Sequence, residues 1–472
     1  MKKKLLFLPG ILAVFIALLF TAPSCKKDDD KNPVTHFSVT YQDGYAYDYG
    51  WVVLHNPDGT EVIDYKKIEG DGVADFGDIN GGIVSVTMIR VDTITYSNGE
   101  KRTYIDIMSD YASPCGNWIF RGNNTSDESL GTADITMTYP DDNYNEYFIH
   151  TTSTGTYSDG VPPGGINKQL NVYRLDEGNK YSIYGAVLRD NGGYCNWLLD
   201  QNFQLYQANY YNLELSKTLN NVNFTTSKPI DYFYVYGLWD KRESDLVLFR
   251  KDCWDSSPGW ETNHNANLPL NMPVSHLMFS GSYYDGNHSY YYRKFYDMPQ
   301  GLPGNIDIPD KTITGTYNES TDEITNIQLN GTADQIIGRW YYWDNSNTAD
   351  LYISWSVYAN WDFPSIKRPV LPQEILSDIV DEINMMNCVL IGFADYNTTA
   401  SHADIINQFF VNVVPAGQRY DEYFSYYHYL EPYKGQEINQ RELEQFDTER
   451  KDITNINRNY LAAYYQIQSN CR

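Results

Sequence analysis

Seven aromatic residues are the chain's best candidates for ligand chemistry: Trp254, Trp260, Trp340, Tyr342, Trp343, Trp355 and Trp361. They stand in turn-rich surroundings, with Asn263, Asn265, Asn345 and Asn347 close by. A sugar ring presents axial C–H groups that stack on an aromatic face, while amides and carboxylates take its hydroxyls. Trp254, Trp260, Trp340, Tyr342 and Trp343 are therefore the expected ligand-binding residues. The same ring types also fill β-sandwich cores, and the alternation around Trp355 favours an interior place for that residue.

Catalytic spacings are scarce. Gly155, Ser158 and Gly160 miss a nucleophile elbow by one residue. The chain has no HExxH, no CxxC pair, no glycine-rich phosphate loop and no dinucleotide fingerprint. His264, His276 and His288 recur every twelve residues, which is not a metal-ligand spacing. In the acidic stretch Glu69–Asp78, an EF-hand reading with Gly72 as its glycine puts Lys67 at the first ligand position, where a cation opposes metal. A looser Ca²⁺ site built on Asp71, Asp75 or Asp78 stays open; no other cofactor is expected. Sixty-one acidic residues can always supply two facing carboxylates, so their abundance selects no hydrolytic pair.

The formal charge is −26 over 472 residues. That balance excludes nucleic acid as a partner, because phosphate binding needs clustered Lys and Arg. Tyrosine is abundant, at 43 residues against 19 Phe and 10 Trp, and Tyr and Trp favour strands and contact surfaces.

The N-terminus carries a different chemistry. Lys2, Lys3 and Lys4 precede an apolar run from Leu5 to Phe20, and small Ala22 and Ser24 precede Cys25. Sixteen apolar residues containing Pro9 and Gly10 are short for a spanning helix, which needs about 20. Positive start, apolar core and small residues describe a secretory signal over 1–24. The segment ending at Cys25 resembles the lipobox of bacterial lipoproteins, with Pro23 an unusual member. The resemblance implies that the Cys25 thiol is acylated and becomes the first mature residue, a lasting membrane anchor. Loss of the signal removes three lysines and no acids, so −26 becomes −29. Lys27, Asp28 and Asp29 resemble the export signal of Bacteroidota surface lipoproteins, which implies the outer leaflet of the outer membrane. Residues 25–33 then form a polar, lipidated tether.

Beyond the tether the pattern is mainly β. Phe37, Val39 and Tyr41 alternate with polar residues, Asn56-Pro57-Asp58-Gly59 is a turn, and Ile83–Val91 is a long strand. The segments "NPDGTEV", "GDGVADFGDINGG" and "IVSVTMIRV" resemble the carboxypeptidase regulatory-like, or transthyretin-like, module. That resemblance implies a non-catalytic β-sandwich over 34–96. A β-rich middle region over 97–310, of one or two sandwiches, and a C-terminal β-rich domain over 311–472 complete the expectation of two to four Ig-like or transthyretin-like domains in tandem. One short amphipathic helix is expected near 372–387, started by Pro372 and striped by Ile375, Leu376, Ile379, Val380 and Ile383. Cys115, Cys195, Cys253, Cys388 and Cys471 are permitted disulfides in an exported protein; an odd count leaves at least one outside any internal pair, and spacing does not fix the pairing.

Together these features predict a lipid-anchored surface protein without catalytic activity, binding a glycan or a protein outside the cell through edge strands and loops at sandwich ends. Two rivals stay open: a glycosidase-like hydrolase whose carboxylates converge only in the fold, and a structural adhesin or fibre component.

Overall fold

The structure is a computed structural model, and it describes residues 34–431 except 43–47, 96–100, 122–128, 140–143, 145, 152–154, 161–164, 174–182, 189–195, 201–209, 216, 219, 239–245, 253–260, 269–274, 299, 344–350, 380–387, 398–400 and 413–419. The chain is mainly β and of sandwich type, as its alternation predicts. Twelve strands share one central sheet: β1 (Tyr49–His55), β2 (Val62–Ile68), β3 (Ile83–Thr95), β4 (Lys101–Pro114), β5 (Tyr232–Leu238), β6 (Leu246–Asp252), β7 (His276–Tyr284), β8 (His288–Asp297), β9 (Gln335–Trp343), β10 (Leu351–Asn360), β11 (Cys388–Tyr396) and β12 (Glu422–Glu431). Their spatial order is β6-β5-β7-β8-β12-β11-β9-β10-β4-β3-β1-β2. Every neighbouring pair is antiparallel except β10 and β4, which run parallel with Ser354 opposite Asp106.

Both faces of this sheet are covered, so successive side chains of one strand enter different cores. Trp51, Val53, Ile89, Ile107, Trp340, Ile353 and Phe393 face one core. Val52, Leu54, Val86, Met108, Tyr341, Leu390 and Tyr427 face the other. The second core is closed by a three-stranded sheet in which Val34–Gln42 lies between Gly72–Asn80 and Asn117–Arg121. Phe37, Val39, Tyr41 and Trp118 fill the gap. The N-terminal sandwich thus includes two strands beyond residue 96, Lys101–Pro114 and Asn117–Arg121. Residues 129–218 build a further sandwich around Ile135, Met137, Ile149, Ile166 and Ile183.

The expected helix is present as α1 (Gln373–Asp378), with Pro372 at its N-cap and Ile375 fully buried. Residues 380–387 lie outside the described residues. α1 clamps the N-terminal strands. Trp51 Nε1 donates to Asp378 Oδ2 at 2.9 Å, and the Lys67 ammonium pairs with that oxygen at 3.0 Å while lying 4.1 Å from the Tyr49 ring centre. A second helix, α2 (His402–Ile406), continues as a π turn over Asn407–Val411. It starts at a capping box: Ser401 Oγ accepts from Asp404 N and the Asp404 carboxylate accepts from Ser401 N. No helix among the described residues is long and apolar enough to cross a membrane.

Cys115 and Cys388 are buried thiols, and burial pushes the Cys115 thiol up to about 11. Cys195, Cys253 and Cys471 lie outside the described residues.

Candidate functional site: the loop end of the central sheet

Strand registers sort the connections of the sheet into two ends. At one end lie Pro114, Asn360 and the Asn56–Thr60 turn, close to where Val34 enters opposite Asn80. At the other lie Tyr49, Thr95, Lys101, Leu351, Trp343, Cys388, Glu431 and the Tyr284–His288 turn. Asp252 pairs with Phe233 at this second end as well. The segments bearing Trp254 and Trp260, and Asn345 and Asn347, therefore depart from the same end, although 253–260 and 344–350 themselves lie outside the described residues.

The expected ligand residues divide accordingly. Trp340 is fully buried in the core, so its ring packs the sandwich and is closed to solvent. Strand periodicity puts residue 340 on an inward face, and a sheet covered on both sides leaves no solvent face for it. Tyr342 is half-buried against that same core, and Trp343 ends β9 at the loop end. Trp355 is interior too, its indole N–H donating to Ser109 Oγ at 3.0 Å. Cys25, Lys27, Asp28 and Asp29 lie outside the described residues.

Two polar groups that the spacing analysis missed sit at the loop end. On one face Arg90 Nε approaches Asp92 Oδ2 at 3.1 Å, and its Nη2 lies 3.9 Å from Asp106 Oδ2. Ser354 Oγ donates to Asp106 Oδ1 at 2.7 Å. Tyr104 and Tyr341 flank Tyr352, with ring centres 6.1 and 6.3 Å away. Burial pushes the Asp92 carboxyl up to about 6 against the pull of Arg90, with Asp48 and Asp106 adding to the rise. On the opposite face the His288 and His428 rings stack at 4.9 Å, with Tyr426 at 5.8 Å from His288. The Asp285 carboxylate lies 3.3 Å from His288 Nδ1 and caps the turn by accepting from Asn287 N and His288 N. Burial, then the His288 charge, lowers the His428 pKa. Beside them Tyr283 stacks on Tyr290 at 5.1 Å, while on the Arg90 face Tyr284 meets Tyr429 at 5.6 Å.

The one legible signal for the first group is a charged residue inside an apolar strand, as in Ile105-Asp106-Ile107. The other two evenly spaced histidines serve elsewhere: His276 pairs with Asp297 at 3.3 Å, and His264 packs on Phe224. In the acidic stretch, Asp75 and Asp78 flank His36 at 3.2 and 3.4 Å. Among the described residues no group of three or more His, Cys, Asp or Glu is arranged to hold a metal ion.

Chemically, the groups the loop end leaves open to solvent are the Tyr104 and Tyr284 rings, the Asp106 and Asp285 carboxylates and the His288 and His428 imidazoles, suited to hydrogen-bonding a hydroxyl-rich or peptide ligand, while Asp92 and the other tyrosines of these two groups are buried beneath them. It is less suited to glycoside hydrolysis, because Arg90 contacts both Asp92 and Asp106, where a hydrolase leaves its two carboxyls facing the substrate.

The raised Asp92 pKa carries a stability consequence. Unfolded, the carboxyl ionises near pH 4; folded, it holds its proton to about pH 6. Stability from this residue therefore falls as pH rises from about 4 to 6, by about 3 kcal/mol in all. Asp92→Asn should be close to neutral at pH 4 and more stable than the parent by about 2–3 kcal/mol at pH 7, read by urea unfolding at both pH values. An equal stability difference at the two pH values would remove the desolvated-carboxyl assignment.

No protein-family profile matches the chain, and no curated protein matches it in sequence. Among solved structures, a "putative cell adhesion protein" from Parabacteroides distasonis aligns over 56% of this chain and 80% of its own, with 8% identity and a TM-score of 0.12, an overlap too low to carry a structural argument.

Proposed function

We propose that the protein is a lipid-anchored surface protein of the outer membrane that binds a ligand outside the cell, without catalysis, through the loop end of its central sheet. A sugar chain is the ligand class that the residues favour. The observation that supports this reading is the split between the two ends. Val34, nine residues after Cys25, enters at one end; the tyrosine, aspartate and histidine groups gather at the other. A body tethered at the first end presents the second to the medium. Tyrosine serves such a surface well, since each ring gives a rigid apolar face and a hydroxyl at small entropic cost.

The test is retention of the purified protein in affinity gels containing neutral polysaccharides. On the retaining polysaccharide, the double variant Tyr104→Ala/Tyr284→Ala should lose at least about tenfold in affinity, the scale of one removed anchor contact. Trp361→Ala, at the opposite end, should bind as the parent does. Retention unchanged by the double variant, or absent on every polysaccharide while a protein partner is captured, would refute the glycan reading.

A further inference from the structure

Six large apolar side chains are exposed among the described residues: Val34, Ile63, Val73, Ile83, Trp361 and Val370. Scattered singly, such residues need no explanation. Here four of the six share one end of the fold. Val34 pairs with Asn80, and Ile83 follows three residues later, across the Gly81–Gly82 turn. Ile83 pairs with Pro114 at the end of β4. β10 runs parallel to β4 with Tyr358 opposite Asp110, so Asn360 comes level with Ala112 and Trp361 projects just past it. Ile63 follows Val62, which pairs with His55 where β1 ends. Val73, by contrast, pairs with Thr40 towards the other end.

From these positions we infer that this end of the fold is a membrane-contact surface, with Val34, Ile83 and Trp361 as its apolar points and a lipid bilayer as its partner. The inference rests on the proposed anchor at Cys25. Nine residues of tether reach at most about 30 Å when extended and about 15–18 Å as a flexible coil. The end that carries Val34 is thus held within a few nanometres of the lipid. Trp361 is 45% exposed, the highest value of any aromatic side chain among the described residues, and an indole is suited to the headgroup level, where its ring is buried and its N–H stays hydrated. The contact is small and would not hold an untethered protein. Tethering makes it intramolecular, at an effective concentration in the millimolar range, which lets a weak contact set orientation. Asp58, Glu61 and Asp362 are exposed at the same end, as is Lys367, whose carbonyl accepts from the Tyr111 hydroxyl, so the contact rests on its apolar points and not on charge.

The test uses the full lipidated chain in phosphatidylcholine vesicles, with and without brominated acyl chains, which quench tryptophan on contact. Sedimentation with the vesicles reports anchoring; quenching reports contact. The parent should sediment and show a quenched component that Trp361→Phe abolishes, while the variant still sediments. Val34→Asp/Ile83→Asp should also sediment and should cut that quenched component at least twofold. Protein that sediments but shows no quenched component removed by Trp361→Phe overturns the contact surface and leaves the anchor standing. Protein that fails to sediment overturns both.

Discussion

Cys25→Ala is expected to move the protein out of the membrane fraction or to leave it as unprocessed precursor. The physical reason is the size of the anchor. Each buried methylene contributes about 0.8 kcal/mol, and a single fourteen-carbon chain alone gives only marginal binding. Several chains on one cysteine give lasting attachment, and no helix among the described residues offers a replacement span. The membrane-to-soluble ratio of processed protein should fall by at least about 100-fold. Fractionation of cells expressing each form measures it. Unchanged membrane retention of a correctly processed variant would rule out the thioether anchor.

Gly392→Ala is expected to be among the most damaging single-methyl changes in the body of the fold. Gly392 sits in β11 opposite Tyr427 of β12 and Ile337 of β9. A Cβ there would fall inside van der Waals contact with the Tyr427 ring and 2.8 Å from the Tyr426 carbonyl oxygen. Neither neighbour can move freely. Tyr426 is held in the ladder, and the Tyr427 ring lies under the Arg339 guanidinium at 4.4 Å. Overpacking of this kind costs about 1–3 kcal/mol, and two fixed obstacles put it at the upper end. For a body of this size the melting temperature should drop by about 3–4 °C. Gly304→Ala is the matched control, since nothing lies within 4 Å of a Cβ there; it should change stability by less than about 0.5 kcal/mol. Equal melting temperatures for the two variants would contradict the packing described for β11 and β12.

Local pattern carried much of the fold. Phe37, Val39 and Tyr41 alternate in the chain and are all buried in the strand Val34–Gln42. The Asn56–Gly59 turn closes on a glycine at φ 70°, a backbone that only glycine adopts cheaply. Pro372 and Ile375 mark α1 as their spacing predicts. The Ser401–Asp404 box of α2 was not legible, since Asp stands where Glu or Gln marks the pattern and no long apolar stripe follows it. The parallel ladder between β10 and β4 was not legible. It joins residues about 250 positions apart, and a period-2 pattern states which residues share a face but not which strand lies alongside. The same limit applied to the candidate site. Ring chemistry singled out Trp340, yet both faces of its sheet are covered, and an aromatic there is core by necessity. Arg90, Asp92 and Asp106 escaped notice because their grouping depends on cross-strand register between β3 and β4, where Arg90 faces Asp106. His288 and His428 likewise meet only through the pairing of β8 with β12.

The central claim is a β-sheet body fastened to lipid at one end and open to ligand at the other. Its most direct test is the mass of the N-terminal peptide of the mature protein extracted from membranes. An anchor at Cys25 requires a peptide beginning at Cys25 and carrying acyl chains on its sulfur. A mature terminus elsewhere, or Cys25 present without lipid, would contradict it.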